Sequence, residues 1–209
     1  MTRTIDVTVI TPTINGREEL LEECMASVDA QTMKPAKHLI GLDKNLEGPA
    51  VIRNRLVKEV DTEWIAFLDD DDLLMPNHFE IHNTYMRDEG WDFGHGNLEL
   101  KLVEDVVVDQ GFMYDVISSW CILADEAGDS RLFDTAPHID RIMENHNSLP
   151  ITATVRTSAF RSVGGFSARA RFEDMALWQS LIAANAEFKA VYIPTWYYRI
   201  HSNSRNSKE

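Results

Sequence analysis

The chain has 209 residues, 44% apolar and 26% charged, with a formal net charge of −14. This suits an ordinary globular domain able to bury a core. Two distant cysteines, Cys24 and Cys121, exclude a disulfide scaffold. The acidic balance argues against general nucleic-acid binding, which needs a cationic surface, and apolar runs such as residues 64–68 and 106–108 are far too short to span a bilayer.

The N-terminus enters a strand-like segment without the apolar core of a secretory signal, so a cytoplasmic location is the expectation. Residues 6–11 are apolar and β-branched, hence a strand. Residues 18–31 carry Leu20, Leu21, Cys24, Met25 and Val28 at helical spacing, with Asn15 expected as N-cap and Glu18 as its reciprocal partner. Cys24 lies on that stripe and reads as a buried thiol. A second strand follows at 38–42, a second helix at 50–60 on Ile52, Leu56, Val57 and Val60, a third strand at 64–68 and a third helix at 76–89. This alternation predicts βαβ units and an α/β fold: a Rossmann-like, mostly parallel sheet flanked by helices. Ligands bind such sheets beyond the carboxyl ends of the strands, which points to residues 11–16, 43–48 and 69–72. The second half is less regular. Residues 93–109 read as two short strands joined by a turn, 114–126 as a helix, 151–156 as a strand, 172–185 as a helix and 190–193 as a last strand before Pro194. A polar tail covers 202–209, there are no internal repeats, and the whole chain reads as one domain.

Asp69, Asp70, Asp71 and Asp72 follow the apolar strand at 64–68. Adjacent carboxylates repel one another, and at the mouth of a buried sheet they call for a counter-charge, for which a divalent cation is suited. In an extended segment, residues two apart point the same way, so Asp69 and Asp71 would face one site. Mg²⁺ and Mn²⁺ favour carboxylate oxygens and keep positions open for phosphate. A helix N-cap ahead of Leu73 is the alternative; it accounts for one aspartate and not for four.

Five pieces, in order, resemble family 2 glycosyltransferases of the GT-A fold: VITPTINGREELL at 9–21, IRNRL at 52–56, WIAFLDDDDL at 64–73, GGF at 164–166 followed by FED at 172–174, and YRIHS at 198–202. The resemblance covers most of the chain and is weakest across 95–150. It implies a nucleotide-sugar-binding half, 1–100, and an acceptor and catalytic half, 101–209. It places Thr11, Pro12 and Thr13 in the nucleotide pocket, Asp43 at the base or ribose, and Arg53 near the nucleotide. Asp69 would reach ribose or metal, Asp70 would lie with the nucleotide sugar, Asp71 would ligate Mn²⁺ or Mg²⁺, and His201 would complete the metal or diphosphate site. Asp174 would be the catalytic base of an inverting, non-processive transfer from a nucleotide-sugar, a UDP-sugar by preference, to an acceptor hydroxyl. Two departures stand out. Lys44 takes the place of a second acidic residue after the second strand, and the QxxRW motif of polymerising members is missing.

The residues themselves bear on these roles. Asp174 opens a helix whose inward face carries Leu177, Trp178 and Leu181, so it is either a first-turn cap or a functional group at a pocket edge, where desolvation would make it a better base. His201 stands close to the C-terminus, where a lone histidine is often a surface residue, and neutral imidazole is a competent ligand for Mn²⁺-type metals. An anionic donor would be repelled by this acidic chain unless a metal or placed arginines reverse the local field. Among Arg169, Arg171, Arg199 and Arg205, Arg171 and Arg205 are preferred as bidentate diphosphate partners, against a solvated loop and tail. Trp196, Tyr197 and Tyr198 read as core before a sugar-stacking wall. His95, His138 and His146 carry no motif. Two rivals keep part of this reading: a non-catalytic nucleotide-sugar-binding or partner protein of the same fold, and a metal-dependent nucleotidyltransferase. A phosphate-loop NTPase is excluded by the lack of GxxxxGK[ST].

Overall fold

The computed structural model describes residues 3–86, 114–146 and 148–201; the strands expected across 93–109, the third helix beyond Met86, and the tail with Arg205 lie outside them. Strands and helices alternate through β1 (Arg3–Thr13), α1 (Glu18–Asp29), β2 (Met33–Leu42), α2 (Pro49–Val57) and β3 (Trp64–Phe67). They are followed by β4 (Leu73–Leu74), α3 (His78–Met86), β5 (Val116–Asp125), β6 (Ser130–Phe133), α4 (Ile139–Met143), β7 (Thr154–Arg156), α5 (Thr157–Ser162), α6 (Glu173–Ala183) and β8 (Phe188–Ile200). The sheet runs β2-β1-β3-β7-β5-β8-β4, with β6 on the side of β5. Its long ladders, β1 with β2 and β5 with β8, are parallel, as is β1 with β3, while the antiparallel pairings through β4, β6 and β7 are short. The mostly parallel α/β sheet is thus present.

Side-chain alternation along the strands builds two cores, one on each face. Ile10, Ile65 and Phe67 pack with α2, α5 and α6, including Ile52, Phe160, Leu177 and Trp178. Val7, Val9, Trp64, Ala66 and Leu68 pack on the opposite face with Cys24 and Val28 of α1 and Phe79 of α3. Cys24 is a buried free thiol, as its place on the helix stripe predicts.

The helix expected at 114–126 is instead strand β5. It lies between β7 and β8, and Val116, Ile117, Ser118 and Ser119 are buried in succession. A strand covered on both faces reads as a continuous apolar run, which periodicity alone does not separate from a buried helix. The last strand does not stop before Pro194 but continues to Ile200. Pro194 falls where the register against β5 shifts around Trp120, a place where its missing N–H costs no ladder bond. The N-cap of α1 is Arg17 without a side-chain cap bond, not Asn15; the Glu18 carboxylate reaches back to the Gly16 N–H at 3.0 Å. The four aspartates precede strand β4, and α3 starts only at His78, so helix capping does not account for them.

Candidate active site

The three loops beyond the carboxyl ends of β1, β2 and β3 meet the start of α6 and the end of β8 around a cavity of about 900 Å³. Its lining comes from residues 12–17, 69–71 and 171–174, from Asp43, Leu46, Gly48 and Pro49, and from Tyr198, Arg199 and His201, with Leu20, Arg53 and Ile151. This is the crevice that the strand-end rule predicts, and its volume lies in the range of small-ligand sites.

The acidic run bends instead of extending. The Asp72 N–H donates to the Asp69 carbonyl at 3.1 Å and closes a turn. Alternation survives the bend: Asp70 and Asp72 are buried, while Asp69 and Asp71 are half-buried at the cavity. Asp70 accepts from the Thr13 hydroxyl at 2.7 Å and pairs with Arg17 at 2.7 Å. Asp72 accepts from the Arg199 N–H at 3.1 Å and from the Thr152 hydroxyl at 3.4 Å. Burial pushes the Asp72 carboxyl well above its ordinary range, reinforced by the charges of Asp71 and Asp69. Burial raises Asp70 as well.

Arginines neutralise the turn. Arg17, from the start of α1, spans Asp70 and Asp71. The buried Arg53 of α2 joins Asp69 to Glu173 of α6 (3.2 Å to the latter) and lies 5.3 Å over the Phe166 ring. Arg199 bonds the Asp71 carbonyl and the Glu23 carboxylate, strapping the end of β8 to α1. The strap brings His201 Nε2 to 3.1 Å from Asp71 and 3.2 Å from an Arg17 nitrogen.

Asp174 lies in the first turn of α6, which also carries the buried Leu177, Trp178 and Leu181, and its Oδ1 accepts from the Met175 N–H at 2.8 Å. The loop before it is fixed by Asn54, whose amide pairs with both backbone groups of Phe166 at 2.8 and 2.9 Å. Gly165 serves this clamp with a left-handed φ of 77°, and a Cβ there would come within 2.6 Å of Asn54 Oδ1.

Of the residues expected at the site, Pro12, Thr13, Asp43, Arg53, Asp69, Asp70, Asp71, Arg171, Asp174 and His201 line the cavity. Thr11 does not: it is fully buried with its hydroxyl on His38 Nε2 at 2.9 Å. Asp43 spends both oxygens on its own loop, accepting from the Glu47 and Gly48 N–H groups at 2.9 and 2.7 Å. Burial opposes its charge, yet those backbone donors hold the carboxyl below its usual range. Trp196 is core, with its indole N–H on the Ser119 carbonyl at 3.1 Å, whereas Tyr198 lines the cavity. Sequence reasoning gave no role to Arg17 or Glu173 and passed over Arg199. Arg17 is followed by Glu18 and Glu19 in the first turn of a surface helix, and only the fold shows that it turns inward.

Among the described residues, no three His, Cys, Asp or Glu side chains converge as a ready-made metal cage. Asp71 and His201 do supply an oxygen and an imidazole nitrogen 3.1 Å apart, with Asp69 in the same turn. Mg²⁺-type ions are commonly held by one or two carboxylates plus substrate phosphates and waters, so this donor set fits such a cation. The guanidinium of Arg17 already marks the place as one that gathers positive charge.

The architecture is that of GT-A glycosyltransferases. It superposes on the crystal structure of S. aureus TarS 1-349 in complex with UDP-GlcNAc with a TM-score of 0.69 at 16% identity, covering 98% of this chain and 61% of that one. It also matches mannosyltransferase PcManGT from Pyrobaculum calidifontis in complex with GDP-Man and Mn²⁺, with a TM-score of 0.62 at 11% identity over 97% of this chain and 59% of that one. A family model described as glycosyl transferase family 2 matches residues 29–100. An uncharacterized glycosyltransferase of Rickettsia bellii is 37% identical over 62 residues, which is 30% of this chain and 9% of that protein.

Proposed function

We propose that this chain is a family 2, metal-dependent, inverting glycosyltransferase that moves a sugar from a nucleoside-diphosphate donor to an acceptor hydroxyl. The observation that carries the proposal is the cavity itself. It is lined by the acidic turn and His201, suited to a cation and a diphosphate, and by Asp174, a carboxylate in the first turn of α6. The donor class is a UDP-sugar by preference, supported by the likeness to TarS, whose structures hold UDP and UDP-GlcNAc.

In this reading Asp71 and His201 hold the cation, with Asp69 beside them. When bound, the cation neutralises charge that develops on the departing diphosphate. Arg171 faces the diphosphate from the α6 side. Asp174 accepts the proton of the acceptor hydroxyl. The acceptor oxygen bonds to the anomeric carbon from the face opposite the diphosphate, the bond from that carbon to the diphosphate oxygen breaks, and the configuration inverts.

Calorimetric titration of UDP, GDP, dTDP and CDP, with Mn²⁺ or Mg²⁺ and again with chelator, tests the donor and metal parts. One nucleotide bound only with metal is expected; no binding of any of them under either metal would overturn the reading. A positioned base contributes about 10²–10⁴-fold, so Asp174→Asn should lose transfer by about that factor while binding nucleotide as before. Unchanged turnover would remove Asp174 from the mechanism.

A further inference from the structure

The acidic turn carries its own cation. One guanidinium nitrogen of Arg17 lies 2.7 Å from Asp70 Oδ1, and the other contacts Asp71 Oδ2 and lies 3.2 Å from His201 Nε2. These are the groups that the proposed function assigns to the metal and its surroundings.

The local hydrogen bonding is crowded. His201 Nε2 is 3.1 Å from a carboxylate oxygen, which only accepts, and 3.2 Å from a guanidinium nitrogen, which only donates. If Nε2 carries a proton, it and Arg17 crowd onto the same Asp71 oxygen, with two donor nitrogens 3.2 Å apart. If Nε2 is bare it accepts from Arg17 and sets its lone pair against Asp71. A divalent cation in place of the guanidinium removes the conflict, because carboxylate oxygen and bare imidazole nitrogen both donate to it.

Arg17 also has somewhere to go. It begins α1, its side chain keeps 25% of its exposure, and it lines the same cavity as the donor loops. A diphosphate offers its fork the bidentate geometry that it would surrender at the two aspartates.

We propose that Arg17 is a displaceable counter-ion: it holds the Asp70–Asp71–His201 cluster while the site awaits substrate, and moves from these carboxylates to the donor diphosphate as the divalent cation binds. The inference rests on the metal-dependent reading above. It makes cation and nucleotide cooperative, since the cation alone must evict Arg17 into water, while a diphosphate gives Arg17 a new partner.

The test is Mn²⁺ binding, read from the resonance of the free ion, with and without UDP, for the wild-type chain and for Arg17→Gln. Without nucleotide, Arg17→Gln should bind Mn²⁺ about tenfold more tightly than the wild type, and UDP should strengthen Mn²⁺ binding less in the variant, as expected for a coupling of ordinary size. Equal or weaker Mn²⁺ binding by Arg17→Gln would overturn the displacement and leave the metal site standing. Mn²⁺ bound by neither protein, with or without UDP, would overturn the metal reading and this inference with it. Arg17→Lys keeps a charge but loses the fork that spans two carboxylates, so it carries the same test where far-UV circular dichroism shows that the Gln variant has not folded. Tighter Mn²⁺ binding by the Lys variant supports the displacement, and unchanged binding overturns it.

Discussion

Two buried histidines of α3 carry no part of the proposed chemistry but set how the fold responds to acid. His78 Nδ1 lies 2.7 Å from the Thr195 hydroxyl, and His82 is held between Thr154 and Ser119 at 2.9 and 3.3 Å, with the two rings 4.0 Å apart. Burial pushes His78 down to about 3, and burial together with His78 keeps His82 well below its ordinary value. In the unfolded chain both take up protons near pH 6.5, so below that pH the unfolded state binds more protons and folding weakens. The stability is fully present above about pH 6.5 and is lost as pH falls toward the folded values. Each histidine contributes a slope of about 1.4 kcal/mol per pH unit in that window. Buried Asp72 acts in the opposite direction, because its raised pKa favours the protonated folded form, so the comparison must be between variants. Urea unfolding of His82→Gln from pH 6 to pH 4 should show a shallower loss than the wild type by about one histidine's worth. Parallel curves would mean that His82 titrates normally in the fold. Neither histidine was legible as a buried polar pair, because spacing places them on a helix without telling which partners wait in the strands beneath.

Legibility at the level of elements divides along the sheet. In β1, β2 and β3 the helices between strands are long and periodic, so the three loops at their carboxyl ends could be placed before the fold was known. In β5 burial on both faces, and in β8 a register shift at Pro194, erase the alternation from which a strand is read. Asp174 was readable because α6 shows its apolar face in Leu177, Trp178 and Leu181; Arg17 was not, because its partners are distant in sequence. The loop ahead of α6 offers a test of how firmly the second half holds that aspartate. Gly164 and Gly165 both have left-handed φ, 80° and 77°. A Cβ at Gly164 meets nothing within 4 Å, whereas at Gly165 it would lie 2.6 Å from Asn54 Oδ1 and 3.0 Å from the Phe160 ring. Strained backbone alone costs about 1–3 kcal/mol, so Gly164→Ala should lose at most that much. Gly165→Ala should lose more, since Asn54 must also yield its bonds to Phe166. At this chain length each kcal/mol lowers the melting temperature by about 2–4 °C, and thermal melts of the two variants measure the difference. Equal losses would mean that the Asn54 clamp gives way freely.

For the molecule as a whole, the net charge of −14 opposes the approach of an anionic donor. The cavity has arginines, but Arg17, Arg53 and Arg199 are each matched by carboxylates: Asp70 and Asp71, Asp69 and Glu173, and Glu23. Such pairs cancel at a distance, so an incoming diphosphate meets the field of the whole acidic chain before it meets any guanidinium. The Debye length falls from about 30 Å at 0.01 M salt to about 8 Å at 0.15 M. Salt should therefore speed association of UDP with the metal-free protein, the reverse of the slowing seen where opposite charges steer the encounter. A divalent cation at Asp71 and His201 adds positive charge where the ligand docks, and the release of Arg17 adds more. With Mn²⁺ present, the salt dependence should flatten or change sign. Stopped-flow association rates across this salt range, with and without Mn²⁺, read both effects. Association slowed by salt in the metal-free protein would mean that the arginines of the cavity outweigh the net charge even while paired, and that steering toward the site does not wait for the cation.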